Sequence, residues 1–385
     1  YVDLIEVNPP ASIYLYLPAV LLGRWTFIAA ETWVNILVFH SIPLSMGLSG
    51  YLLRGTSALR VARSILGVSA ITFALAILPF ECFGQREHIA IICLLPWLAA
   101  AIARYEGRPL PVFPAIAAGI AGGLVFAIKP PFGLPLALVS LSTLAVMRSW
   151  RWALLPEHIA CAFVATTYTV LTYVLHPEFW RDTMPLLQTL YIPFRNWDLL
   201  RENDLVLFSI VGGIVALARP IGLAKCPAVF VPVLASAGFL AATIWQGKYW
   251  TYHHYTFMSL AALACIAASL QRSHHDQAKF RLVSPSGQAA IAVLIFLRFS
   301  ALLYFVPDFK PVAEALRRIA PRPSIMSLTT DIAMAFPATR MVEGRWISQF
   351  CSLWIINYAS VLRPSARGNS QWLTQIDAAE AMLIE

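Results

Sequence analysis

The sequence predicts an all-α polytopic membrane protein that ends in a small external α/β region. Three observations predict this class. Hydrophobic residues make up 59% of the 385 residues, whereas charged residues make up only 12%. Apolar stretches long enough to cross a bilayer recur along the chain. From about residue 307 these long stretches stop, and shorter, more polar segments follow.

The apolar stretches give the order of the expected helices. Residues 11–25 are interrupted by Pro18 and Arg24, so we expect a helix at the membrane interface there. About ten membrane-spanning helices are expected after it. Their expected bounds are 35–53, 64–82, 88–104, 110–128, 132–148, 152–175, 204–220, 227–246, 254–271 and 286–306. A transmembrane module therefore covers residues 1–306, and a separate C-terminal region covers 307–385.

The C-terminal region has the pattern of a small α/β domain that continues beyond Glu385. Residues 311–319 are expected to form a helix, 324–328 a short strand and 331–337 a turn or helix. The loops that hold most Lys and Arg residues, such as Arg60 and Lys279, are placed in the cytoplasm. The N-terminal segment and the C-terminal region then lie outside. Most acids that precede residue 307 also fall on the outer side, which favours a polar site there.

Composition excludes several function classes. The net charge of +8 is attributed to cytoplasmic loops next to lipid headgroups, so we expect membrane lipids and no nucleic acid as partners. The six cysteines show no C-x-x-C spacing, which argues against a metal site or a disulfide framework. Because no P-loop, G-x-S-x-G or H-E-x-x-H motif occurs, nucleotide-driven transport and hydrolase chemistry have no support.

The first ten residues combine two carboxylates with a rigid backbone. Asp3 and Glu6 precede Asn8-Pro9-Pro10, and two consecutive prolines cannot lie inside a regular helix. The aromatic run that follows is typical of a membrane–water boundary. We therefore expect both acids to be fixed at the edge of the bilayer, where a carboxylate could act as a base.

Two clusters of ionisable residues lie at expected outer helix ends. Arg86, Glu87 and His88 follow Phe83-Gly84-Gln85 and could form a phosphate clamp with an acid/base partner. The alternative is a solvated helix cap. Lys129 precedes Pro130-Pro131, which end the helix and place the lysine in a loop. This lysine could bind a phosphate as a point charge. Alternatively, its side chain could extend along the helix end to place the charge at the membrane–water interface.

A third outer cluster lies in residues 246–255 and combines Lys248, His253 and His254 with four aromatic residues. Aromatic rings stack on sugar faces and also form membrane-interface belts. A belt would explain the rings, but it would not explain the lysine and the paired histidines. Metal binding by the two adjacent histidines is disfavoured because adjacent side chains on a helix diverge.

Taken in order, these motifs resemble a bacterial group of GT-C-type glycosyltransferases. The motifs are Tyr-x-Asp-x-x-x-x-Asn-Pro-Pro, Gly-Gln-Arg-Glu-His, Lys-Pro-Pro-Phe and Gln-Gly-Lys-x-Trp-x-Tyr-His. The group consists of integral membrane enzymes related to protein O-mannosyltransferases and to the lipid A aminoarabinose transferase. The resemblance covers most of residues 1–306, and the C-terminal region is similar to the periplasmic end of these enzymes.

The resemblance implies an enzyme of the cell envelope in the bacterial inner (cytoplasmic) membrane, with its active site facing the periplasm. It implies inverting transfer of a sugar from a polyprenyl-phosphate-linked donor to a glycan, lipid or protein. No cofactor is implied, and a divalent metal is left open. The principal acid of such enzymes follows a first span, which implies one further span and one further acid upstream of Tyr1. Related enzymes often carry Glu-Lys before Pro-Pro where this chain has Val7-Asn8, so Lys129 or Lys248 would take over the lysine role.

The candidate site residues follow from the motifs together with this resemblance. The candidate catalytic residues are Asp3, Glu6 and Glu87. The candidate donor-phosphate-binding residues are Arg86, His88, Lys129, Lys248 and His253. Two other function classes compete with the enzyme. One is a transporter or flippase of lipid-linked sugars, which would need polar groups near mid-membrane, and the other is an accessory subunit of a membrane complex.

Overall fold

The computed structural model describes residues 6–79, 82–195, 226–248, 250–275, 310–326, 328, 336–348, 350 and 352–383. The described residues are mostly helical and include several apolar helices, in agreement with the helical part of the predicted class. Contacts divide the chain into two compact units. One unit, which we call the helical unit, consists of residues 11–169 and 196–304, and the other, the tail unit, of residues 1–10, 170–195 and 305–385.

Helices contain most of the described residues of the helical unit, and one of them, Pro156–Leu175, continues beyond residue 169 into the tail unit. The helices are α1 (Pro10–Tyr14), α2 (Leu17–Thr26), α3 (Ala30–Leu52), α4 (Ser57–Arg63), α5 (Ile65–Thr72), α6 (Arg86–Tyr105), α7 (Val112–Ile128), α8 (Gly133–Met147), α9 (Pro156–Leu175), α11 (Pro227–Gln246) and α12 (Thr251–His275). A π-helical turn, Phe73–Ile77, continues α5, and 3₁₀ turns at Pro130–Phe132 and Trp150–Leu154 flank α8. A short helix, α10 (Met184–Leu186), lies in the tail unit between π-helical turns at Phe179–Thr183 and Leu187–Tyr191.

The core of the helical unit lies around α6. This helix is buried over most of its length, and it packs between α3, α7, α11 and α12. At its last turn, the Arg104 guanidinium donates to both carboxylate oxygens of Glu157 at the start of α9, over 2.8 and 3.1 Å. Both side chains are buried. Because a buried charge without a partner is costly, this bidentate pair fixes the C-terminal end of α6 against α9.

Glycines let α7 approach its neighbours closely. A Cβ atom on Gly119 would lie 2.2 Å from the Glu157 carbonyl oxygen of α9, and one on Gly123 would lie 2.5 Å from Val164 Cβ. Gly119 and Gly123 are four residues apart and so lie on one face of the helix. Small residues at this spacing are typical of membrane helices whose backbones touch. The contact fixes α7 along and around its own axis.

Proline ends α7 in the way the sequence predicts. Lys129 is the residue before Pro130, and its backbone is extended, with φ −156° and ψ 109°. The proline ring disfavours helical geometry at the preceding residue. The chain therefore leaves the helix at Lys129 and re-enters helical geometry in the 3₁₀ turn that the two prolines begin.

The described helices match many of the expected spans. The expected span 227–246 coincides with α11, and the expected spans near residues 88, 110, 132 and 152 correspond to α6, α7, α8 and α9. By length and composition, three described helices could cross a membrane: Arg86–Tyr105, Pro156–Leu175 and Pro227–Gln246. A bent pair, Ser57–Arg63 with Gly67–Ile77, would be a fourth. The expected spans 204–220 and 286–306 lie outside the described residues, so the count of ten stays a prediction.

The tail unit combines helices with one small parallel strand pair. Its helices are α13 (Lys310–Ile319), α14 (Phe336–Met341), α15 (Trp354–Leu362) and α16 (Ser370–Ala381). Strand β1 (Ser324–Ile325) pairs with β2 (Arg345–Trp346), with Ser324 opposite Arg345. The helix expected at 311–319 agrees with α13. The strand expected at 324–328 is observed only at Ser324–Ile325, because only these two residues pair. The location of the C-terminal region 307–385 in the periplasm stays a prediction.

We expect Gly119→Ala to destabilise the helical unit by about 1–3 kcal/mol, because the new methyl group would meet the backbone of α9. Gly47→Ala in α3 is the matched control, since a Cβ there meets nothing within 4 Å. Both changes add the same helix propensity. Thermal unfolding of the purified protein should show a lower Tm only for Gly119→Ala, and equal Tm values would contradict this account of the α7–α9 contact.

Candidate functional site

Three helix ends bring a carboxylate, an ammonium group and an imidazole together. Glu87 lies in the first turn of α6, Lys129 directly follows α7, and His253 lies in the first turn of α12. The Lys129 Nζ lies 3.0 Å from Glu87 Oε1 and 2.9 Å from His253 Nε2. These residues, which are 42 and 124 positions from Lys129 in sequence, form one continuous hydrogen-bonded cluster.

The cluster is buried. Glu87 is 0% exposed, His253 is 2% exposed and Lys129 is 8% exposed. Burial lowers the pKa of Lys129 below its usual value, while the Glu87 carboxylate opposes that change. Glu87 is also stabilised as an anion by its position at the N-terminal end of α6, where the helix dipole is positive. The ion pair with Glu87 thus keeps an otherwise costly charge inside the protein.

The contact with Lys129 determines which ring nitrogen of His253 carries the proton. An ammonium group can only donate, so His253 Nε2 accepts and the imidazole proton resides on Nδ1. His253 Nδ1 is buried and has no hydrogen-bond partner among the described residues, and the same is true of Glu87 Oε2. Buried polar atoms normally have partners. The cluster therefore offers one donor and one acceptor to a ligand.

Two further cations lie close to the cluster. The charge of Arg86 acts on both Lys129 and His253, and the charge of Lys248 acts on His253. Lys248 is 1% exposed and directly follows Gly247, which ends α11 with φ +63°. Gly84, which precedes Arg86 by two residues, has φ +77°. Both glycines thus adopt a positive φ, which glycine accepts at little steric cost.

Aromatic rings enclose one side of the cluster. The Tyr252 and Trp250 rings lie 4.7 and 5.5 Å from the His253 ring, measured between centroids. Lys129 Nζ lies 5.4 Å from the centroid of Phe132 and 5.8 Å from that of Tyr252. These distances allow cation–π attraction, which adds to the stabilisation of the buried ammonium. The rings also provide flat apolar surfaces beside the polar atoms.

Tyr16 is a member of the site region that the sequence did not single out. It precedes α2, and its hydroxyl donates to the Gly84 carbonyl oxygen over 3.1 Å. Burial raises the pKa of Tyr16 to about 12, with smaller opposing effects from Arg86 and Glu87. Tyr16 therefore ties the segment before α2 to the turn that begins α6. Its place in the aromatic run after Asn8-Pro9-Pro10 was the available sequence signal.

His88 has a different role from the other candidates. Its Nδ1 accepts from the Gly84 backbone N–H over 3.0 Å, and its Nε2 donates to the Leu75 carbonyl over 2.6 Å. The ring packs against Phe83 and Tyr255. Since both ring nitrogens are used by the backbone, His88 positions the turn before Arg86 and Glu87. The predicted contact of His88 with phosphate would require one of these bonds to open.

Of the two N-terminal acids, the structure describes only Glu6. Asp3 lies outside the described residues. Glu6 belongs to the tail unit, and its Oε1 accepts from the Asn8 backbone N–H over 3.0 Å. The carboxylate thus stabilises the turn that leads into Pro9-Pro10. The catalytic roles expected for both acids stay predictions.

The described part of the chain contains no cluster of metal-ligand side chains. No group of three or more His, Cys, Asp or Glu residues there could hold a metal ion. In the Glu87–His253 cluster the central position is taken by the Lys129 ammonium. The cationic partner of this carboxylate and imidazole is therefore a side chain of the protein itself.

No protein-family model and no curated protein matches the sequence. A solved structure, ArnT from Cupriavidus metallidurans bound to undecaprenyl phosphate, is similar to the chain with a TM-score of 0.43 and 15% sequence identity. The match covers 81% of this chain and 62% of the ArnT chain.

Removal of one partner should show how strongly Glu87 and Lys129 depend on each other. Lys129→Met leaves the Glu87 carboxylate buried without its cation, so we expect a loss of about 3–5 kcal/mol in the free energy of unfolding. The double variant Glu87→Gln/Lys129→Met should recover much of this loss because no buried charge remains. Thermal unfolding of the single and double variants measures the coupling.

The exposed pair of Arg181 and Asp182 provides the control for this cycle. Arg181→Met should leave the Tm unchanged, because exposed ion pairs contribute little to stability. Additive losses in the double variant Glu87→Gln/Lys129→Met would contradict the proposed dependence of Lys129 on Glu87.

Proposed function

We propose that the chain is a membrane glycosyltransferase that transfers a sugar from a polyprenyl-phosphate-linked donor to a glycan, lipid or protein acceptor. The observation that carries the proposal is the buried Glu87–Lys129–His253 cluster. It combines a positive charge with one donor and one acceptor that have no partner among the described residues. Such a set matches a reaction in which a phosphate leaves and a hydroxyl proton is removed. The resemblance of the sequence motifs to GT-C-type enzymes supports the same class.

The donor phosphate is proposed to lie beside Lys129 and His253. The His253 Nδ1–H would donate to a phosphate oxygen, while the ammonium group supplies positive charge. Arg86 and Lys248 contribute further positive charge near His253. Cations and donors that are already in place stabilise the charge that develops on the leaving phosphate. Trp250 and Tyr252, which pack against His253, provide surfaces on which a sugar ring can stack.

Glu87 is proposed as the base. Lys129 holds its Oε1, so Oε2 can accept the proton of the acceptor hydroxyl. In the transfer step the acceptor oxygen forms a bond to the anomeric carbon as the bond from that carbon to the phosphate oxygen breaks. The hydroxyl proton goes to the carboxylate, and the electron pair leaves with the polyprenyl phosphate. Attack from the face opposite the phosphate inverts the anomeric configuration.

Asp3 and Glu6 are the alternative bases in this proposal. Both precede Asn8-Pro9-Pro10, the motif that carries part of the resemblance. We place the reaction at the periplasmic face of the bacterial inner membrane, because the motifs with Glu87, Lys129 and Lys248 all fall on the side with fewer basic loop residues. No cofactor is part of the mechanism. A transporter or an accessory subunit would bind the lipid-linked sugar without releasing polyprenyl phosphate.

The acid variants test the chemistry. We expect Glu87→Gln to abolish transfer, since the amide cannot accept the proton, and we predict the same for Asp3→Asn or Glu6→Gln if either acid is the base. The assay supplies undecaprenyl-phosphate-linked sugars to the reconstituted protein with a membrane extract as acceptor, and it measures release of undecaprenyl phosphate. If the wild-type protein binds the donor but never releases the lipid phosphate, the enzyme proposal fails and a transporter is favoured.

The cation variants test the phosphate contacts. Charge-assisted hydrogen bonds contribute about 1.5–3 kcal/mol each, so Lys248→Ala and His253→Phe should each weaken donor use by roughly ten- to a hundredfold in kcat/KM. Lys310→Ala, an exposed lysine of the tail unit, is the control and should leave the kinetics unchanged. Unchanged kinetics together with a large fall in Tm would mean that Lys248 and His253 are structural residues.

A further inference from the structure

A cavity lies at the end of the helical unit opposite the cluster of Glu87, Lys129 and His253. It has a volume of about 480 Å³ and lies between α3, α4, α5, α6, α11 and α12. Its lining on α6 runs from Leu95 to Ile102, in the second half of the helix, whereas Glu87 lies at the start. On α11 the lining residues are Ala228 and Pro232, at the end away from Lys248. The cavity is therefore separate from the cluster of Glu87, Lys129 and His253.

The cavity wall is largely apolar. It consists mainly of alanine, leucine, isoleucine, valine and glycine residues of the surrounding helices. Water is poorly held in such a space, because it finds few hydrogen-bond partners there. The cavity is lined by residues of both α4 and the following helix, which are bent by 76° relative to each other. The Ser49 hydroxyl, which lines the cavity, has no hydrogen-bond partner among the described residues.

The charged residues in the lining are both positive. Arg54 and Arg63 line the cavity, and no acid is among its described lining residues. The Arg54 guanidinium lies 4.3 Å from the centroid of the Tyr51 ring, which also lines the cavity and orients the charge. Both arginines are exposed, so their charged groups can reach a headgroup at the membrane surface. An apolar space lined by two arginines is complementary to a molecule with an apolar chain and an anionic head.

We propose that this cavity binds an anionic phospholipid, with one acyl chain in the apolar space and the phosphate beside Arg54 and Arg63. The charge of the lining selects an anionic head, and the shape and apolar wall select a hydrocarbon chain. Arginine binds the phosphate of either lipid class through two parallel N–H donors. The two arginines favour an anionic lipid because they repel the ammonium group of a zwitterionic headgroup. This proposal does not depend on the function proposed for the Glu87 site.

Two glycines make the cavity accessible to a direct test. Gly47 and Gly50 both line it, and a Cβ on either would meet nothing within 4 Å. Gly50→Leu should therefore place a side chain in the space of the acyl chain without displacing the backbone. The double variant Arg54→Gln/Arg63→Gln removes the headgroup charges while the cavity stays open. Gly368→Leu is the control, because its Cβ also meets nothing within 4 Å but lies in the tail unit.

The experiment measures phosphatidylglycerol retained by the protein after reconstitution in vesicles of phosphatidylethanolamine and phosphatidylglycerol. Native mass spectrometry counts the bound lipids. We expect wild type and Gly368→Leu to retain phosphatidylglycerol, and Gly50→Leu to lose it. The double arginine variant should retain on the order of tenfold less phosphatidylglycerol, because two charge-assisted contacts are absent. Its retention of phosphatidylethanolamine should be unchanged or higher.

Two results would overturn the proposal. One is equal retention of phosphatidylglycerol by Gly50→Leu, by the double arginine variant and by wild type. The other is a large fall in the Tm of Gly50→Leu without added lipid while the double arginine variant retains phosphatidylglycerol normally. That second result would mean that Gly50 is needed for helix packing and that phosphatidylglycerol binds without the two arginines.

Discussion

The buried ion pair between Lys129 and Glu87 is the interaction on which the site depends. Without Glu87 the Lys129 ammonium would be a costly charge in an apolar setting, and without Lys129 the carboxylate would be equally unfavourable. The pair also determines the tautomer of His253, because an ammonium donor leaves the imidazole proton on the opposite nitrogen. Two contacts of Lys129, of 3.0 Å to Glu87 and 2.9 Å to His253, thereby connect the start of α6, the end of α7 and the start of α12.

The surrounding fold serves to hold these three helix ends. Arg104 and Glu157 secure the far end of α6 to α9, and the glycine face of α7 holds that helix against α9 as well. At the near end, His88 and Tyr16 both bond to the Gly84 backbone and so stabilise the turn before Arg86. The polar atoms of the site are thus positioned by rigid elements rather than by loops, which is what a preorganised site requires.

Local features of the structure could be predicted from the sequence because they depend on neighbouring residues. The bounds of α11 and the extended backbone at Lys129 follow from an apolar run and from a proline. The partners of Lys129 were not predictable, because Glu87 and His253 are distant in sequence and only tertiary packing brings them together. His88 shows the same limit: a histidine beside Arg86 and Glu87 suggests a ligand contact, yet its ring nitrogens bond to Gly84 and Leu75.

The position of Lys129 at the end of α7 has a consequence for how the chain can change in length. Gly123 fixes the helix against α9, and Lys129 follows six residues later. An inserted residue between them would turn the lysine by roughly 100° about the helix axis and advance it by about 1.5 Å. The ammonium would then leave both Glu87 and His253. Insertions or deletions are therefore excluded from the segment between Gly123 and Lys129, whereas the turn before α7, at Gly107–Pro111, can vary in length without changing this register.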